Sequence, residues 1–115
     1  MKLAVLAVAG LVSVSSSWKI IAQHTETGGF TIVAAQGVAH NPTALQVSIV
    51  SKPSVTTEGN YYVKCAGKVK RANFPVTTPL TKSLPVTAPH AASCLVVVGA
   101  QLTKQGRMTI TIRAH

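Results

Sequence analysis

Apolar and polar residues alternate along most of the chain after Trp18, the signature of strands with one buried face. Trp18, Ile20 and Ala22 fall on one side of an extended segment, with Lys19 opposite. Phe30, Ile32 and Ala34 repeat the pattern beyond a Thr27-Gly28-Gly29 turn. Leu45, Val47 and Ile49 alternate with Gln46 and Ser48, launched by the turn signal His40-Asn41-Pro42-Thr43. Tyr61, Val63 and Cys65 share a face, with Tyr62 and Lys64 on the other. The longest run is Cys94, Val96, Val98, Ala100 and Leu102, with Leu95 and Val97 behind it. Met108, Ile110 and Ile112 follow, set against Thr109, Thr111 and Arg113.

The link Thr103-Lys104-Gln105-Gly106 reads as a hairpin between the last two strands. Pro53, Pro75, Pro79, Pro85 and Pro89 stand between the runs or at their ends, where proline is tolerated. No segment after Trp18 holds a helical period. The pattern predicts an all-β fold, an antiparallel immunoglobulin-like β-sandwich of six to eight short strands, built as a single domain over residues 18–115. Aromatic residues make up only 4% of the chain, so the core must be mostly aliphatic and β-branched.

Residues 1–17 break the alternation. Met1 and Lys2 make a minimal basic start, Leu3 to Val12 carries no charge, and Ser13 to Ser17 offers small residues at cleavage-type spacing. The apolar run is too short for a membrane-spanning helix, which needs about 20 residues. The first reading is a signal peptide, cleaved between Ser15 and Trp18, on a secreted or cell-surface protein. Two other readings stay open: a mature N-terminal strand, and a retained hydrophobic segment used in assembly or attachment.

Cys65 and Cys94 are the only cysteines, 29 positions apart. An even count behind a signal-like start points to one disulfide formed in an oxidising compartment. Two buried thiols or a metal pair are the alternatives. The bridge has two geometries open to it: between facing sheets, or from a loop back to a strand.

Composition narrows the chemistry. Eleven Lys and Arg face two acids, Glu26 and Glu58, giving a formal charge of +9 with no Asp in the chain. That shortage excludes paired-carboxylate hydrolysis and hard-cation sites as classes. His24, His40, His90 and His115 are scattered without metal-ligand spacing. His24 and Glu26 share a face of an extended strand, but no nucleophile motif accompanies them. The expectation is a protein that is no enzyme, with no metal, no cofactor and no small-molecule substrate.

The sharpest surface feature is basic. Lys64, Lys68 and Lys70 occupy even positions and are expected on one face, with Arg71 and Tyr62 nearby. Such a stripe suits phosphates, anionic lipid or envelope polyanions. It also suits a solvated edge on which lysine discourages strand-to-strand pairing.

The chain resembles small exported actinobacterial β-sandwich proteins of unknown function. The resemblance rests on Trp18 after the leader, Asn41-Pro42-Thr43 before an alternating strand, the Tyr-rich strand ending in Cys65, Ser83-Leu84-Pro85-Val86, and the closing Gly106 to Ile112 strand. It implies an exported β-sandwich and carries no catalytic residue. Two functions are then expected. One is a cell-surface structural or interaction module, self-assembling as a homo-oligomer by strand addition. The other is a secreted cationic protein that binds an anionic polymer or membrane surface.

Overall fold

The computed structural model describes residues 17–88 and 90–115; the leader reading falls mainly on residues 1–16, outside the described residues. Eight strands account for nearly all of the rest: β1 (Lys19–Gly28), β2 (Thr31–His40), β3 (Leu45–Lys52), β4 (Thr56–Cys65), β5 (Lys68–Thr77), β6 (Leu80–Leu84), β7 (Ser93–Leu102) and β8 (Gly106–Ala114). They form two four-stranded antiparallel sheets, ordered β1-β8-β3-β6 and β2-β7-β4-β5. β1 pairs with β8, β2 with β7, β3 with β6 and β4 with β5. The chain therefore behaves as one long hairpin, folded at the β4–β5 turn and rolled so that alternate pairs fall in opposite sheets. The all-β sandwich stands as expected. Its strand order is that of a jelly roll.

The core lies between the sheets. Val47, Ile49, Ile110, Ile112 and Met108 from the first sheet meet Val63, Val96, Val98, Val76 and Leu102 from the second, all fully buried. Alternation works best where the aliphatic residues keep mostly to one parity, as in β3, β4 and β8; in β7 Leu95 and Val97 back the buried row. Burial of each such aliphatic side chain is worth about 1.5–3 kcal/mol. Tyr61 and Phe74 fill the sandwich beside them, with ring centroids 6.1 Å apart.

Several expectations need correction. β1 carries a bulge between Ile20 and Ala22, so Ile20 pairs with Arg113 on the solvent face while Ala22 pairs with buried Ile112. One extra residue flips the parity of everything before it. In β2, Val33, Ala35 and Ala39 are buried, and Ile32 and Ala34 face out. Both parities of that strand are apolar or small, and its register with β7 decides between them. The Thr103–Gly106 link is no hairpin, because β7 and β8 belong to different sheets and the link crosses between them. Pro75 sits within β5, which tolerates it as an edge strand.

The disulfide forms, between neighbours of one sheet. Cys65 and Cys94 are register partners of β4 and β7, with Cα atoms 4.2 Å apart and both residues fully buried. That separation suits the closely approaching, non-hydrogen-bonded type of antiparallel pair. Neither of the two expected geometries, sheet to facing sheet or loop to strand, is the one used. Trp18 packs edge-on against His115 at 5.2 Å, away from any role as a cover for the bridge. His115 is tied down as well: its carbonyl accepts from the Thr43 amide, and its own amide donates to Ala44.

Candidate functional site

Two chemically distinct surfaces emerge from the pairing register. Among the described residues, the basic stretch does not form one stripe. Ala66 and Gly67 both take positive φ, 49° and 80°, as a two-residue hairpin of the I′ kind requires. Such a turn pairs positions of opposite parity in β4 and β5: Lys64 with Val69, Tyr62 with Arg71, Val63 with Lys70, Cys65 with Lys68. Lys64 and Arg71 therefore stand on the outer face of the second sheet. Lys68 and Lys70 stand on the opposite side, where the inner face runs out past the core. The single-face expectation for Lys64, Lys68, Lys70 and Arg71 is corrected accordingly.

Lys68 and Lys70 have company at that margin. Lys82, on the inner side of β6, reaches over the Phe74 ring with its Nζ 5.5 Å from the centroid. Inward-pointing lysines at the β5 and β6 edges are a recognised guard against pairing with another chain. At the other margin β1 lies against β2, the carbonyl of Ile21 closely approaching Gly37.

The outer face of the second sheet is built differently. Reading across the strands, Ala34, Gly99, Asn60 and Asn73 form one row, and Gln36, Val97, Tyr62 and Arg71 form the next. Ile32 and Gln101 pair in the row on the other side, with Glu58 and Pro75 paired beyond them. Gly99 makes the floor of this face low: a Cβ there would stand 3.0 Å from Asn60 Oδ1, tighter than ordinary contact. A depression of about 210 Å³ results, lined by Ile32, Glu58, Asn60, Asn73, Gly99 and Gln101. It adjoins a second of about 480 Å³, lined by Asn60, Tyr62, Arg71, Asn73 and Val97. Asn60 and Asn73 belong to both, so the two make one shallow groove.

The groove has unlike ends. At one, the Arg71 guanidinium sits over the Tyr62 ring, 5.9 Å from its centroid, and Lys64 lies one row beyond. At the other, Ile32 is 72% exposed, and Phe30, before it in the chain, is 81% exposed. Phe30 also holds φ of 55°, a conformation that bulky side chains rarely adopt. Between the ends lie amides, each able to donate and accept. Tyr62, Lys64 and Arg71 stand out in the sequence, but Asn60, Asn73, Gly99 and Gln101 form no local motif, which is why reading along the chain missed them.

His24 and Glu26 do come together, Nε2 to Oε1 at 2.7 Å, on a half-exposed edge of β1. No hydroxyl or thiol is bonded to that imidazole among the described residues. Nor do any three His, Cys, Asp or Glu side chains among them converge as a metal set.

No protein-family model matches the chain, and no curated protein matches it. Among solved structures it is similar to PirA (16% identity, 81% of this chain and 93% of that one, TM-score 0.45). It is also similar to the carbohydrate-binding module TmCBM61, solved with β-1,4-galactotriose (6% identity, 85% and 87%, TM-score 0.49).

Proposed function

We propose that the protein is an exported, non-enzymatic binding module, and that the outer face of the β2-β7-β4-β5 sheet holds an acidic, hydroxyl-rich polymer such as an envelope glycan. One observation carries the reading: the continuous groove through Asn60 and Asn73, floored by Gly99 and ending at the Tyr62–Arg71 pair. Amide side chains pair with hydroxyls that both donate and accept. The Tyr62 ring offers an apolar face, and Arg71 with Lys64 supplies attraction for carboxylates or phosphates. A shallow open groove fits an extended chain better than a small enclosed ligand.

Strand addition is the less favoured mode. The open edges carry Lys68, Lys70, Pro75 and Lys82, and β6 is only five residues long. Export remains the expectation from the leader pattern and accords with a buried disulfide.

Gly99→Val tests the reading. The added side chain rises into the groove from a strand whose core face is untouched. Binding to polygalacturonate, followed by titration calorimetry, should weaken at least tenfold while the melting temperature stays within a few degrees. Undiminished binding by Gly99→Val rejects the groove as the site.

A further inference from the structure

The end of the first sheet holds two cations directly opposite each other. Lys52 of β3 is the register partner of Arg107 of β8, and Thr27 of β1 pairs with Arg107 from the other side. All three residues belong to the outer face of the sheet, since Ile49, Met108 and Ile110 alternate with them into the core. Like charges at a directly opposed pair destabilise a sheet. No carboxylate relieves them. Among the described residues neither Lys52 nor Arg107 has an ion-pair partner: Glu26 lies on the other face of β1 with His24, and Glu58 belongs to the other sheet.

The two cations border two adjoining depressions. One is lined by Thr25, Ser51, Lys52, Arg107 and Thr109, the other by Thr27, Lys52, Gln105, Gly106 and Arg107. The Thr25 and Thr109 hydroxyls bond each other at 2.8 Å, fixing the row behind the charged pair.

We propose that this end of the β1-β8-β3 face is an oxyanion site that takes a phosphate or sulfate group between Lys52 and Arg107. The guanidinium offers two parallel N–H donors, and the ammonium offers a compact point charge. Thr27 and Gln105 add neutral donors at the rim. A tetrahedral oxyanion presents acceptors in several directions and neutralises both cations. A single planar carboxylate satisfies the guanidinium fork and leaves the lysine unmatched. The site lies on the opposite sheet from the groove and does not depend on that reading.

The test is thermal denaturation of the full chain in phosphate, in sulfate and in chloride at matched ionic strength. It is run on the natural sequence, on K52Q/R107Q, and on K19Q/K104Q as a charge-matched control. The natural protein and the control should melt higher in phosphate or sulfate than in chloride. K52Q/R107Q should show a clearly smaller difference, keeping only the general stabilisation that sulfate and phosphate give any fold, and should melt at or above the natural protein in chloride because the repulsion is gone. The better-stabilising anion identifies the group the site prefers. Alongside, amide NMR titration of the unsubstituted protein with inorganic phosphate and sulfate should give saturable shifts centred on Thr27, Lys52 and Arg107. An equal anion response in K52Q/R107Q overturns the proposal, as do shifts that never saturate or that spread evenly over all lysines. If K52Q/R107Q fails to fold, the titration alone decides.

Discussion

Lys64 faces Val69 across the β4–β5 turn, so it points away from the lysines that follow that turn. This parity assigns two jobs to one basic stretch. Lys64 and Arg71 belong to the groove face, and Lys68 and Lys70 to the guarded edge. K64Q/R71Q should weaken polyanion binding about tenfold or more and flatten its dependence on salt, since each lost contact releases fewer counterions. K68Q/K70Q should leave binding within about twofold and instead promote self-association, visible by light scattering. Equal loss of binding in both variants would contradict the split.

The Cys65–Cys94 bridge ties β4 to β7 at the centre of the second sheet, beside the turn on which the whole hairpin folds. It closes a loop of 29 positions, worth about 3–4 kcal/mol by loop-closure entropy. Urea unfolding with and without reductant should differ by about that amount, with β5 and β6 inside the released loop. A difference below about 1 kcal/mol would mean that the register holds without the sulfurs.

Thr78 is buried where β5 passes to β6, and its hydroxyl is bonded to Ser51 at 2.6 Å and to the Val55 amide at 2.9 Å. Thr78→Val keeps the shape and strands the Val55 N–H, which should cost about 1–3 kcal/mol. Because the bonds join the β3–β4 and β5–β6 connections, hydrogen exchange at Val55 should accelerate along with the fall in stability. Stability unchanged in urea would show that water replaces the hydroxyl there.

How much of this was legible in the sequence depends on local ambiguity. β3, β4 and β8 were readable because the aliphatic residues of Leu45 to Ile49, Tyr61 to Cys65 and Met108 to Ile112 fall on one parity, and β7 because its apolar run from Cys94 to Leu102 is the longest in the chain after Trp18. β2 was not, since Ile32 and Val33 are equally apolar and only the pairing with β7 separates them. β5 begins with a run of charge and contains Pro75, so its strand character comes from its partner rather than from its own pattern. The basic residues were visible, but their division between faces needed the turn geometry at Ala66 and Gly67. The groove was not legible at all. Ile32, Asn60, Asn73 and Gly99 come from four strands, and a low point in a sheet exists only once those strands are side by side.

Binding by the outer face of the second sheet is tested most directly by mapping amide shifts during titration of the full chain with polygalacturonate. The account predicts a compact set of perturbed residues running from Ile32 through Asn60, Asn73 and Gly99 to Tyr62 and Arg71. Perturbations confined to the β1-β8-β3-β6 sheet, or scattered over every exposed lysine, would contradict it.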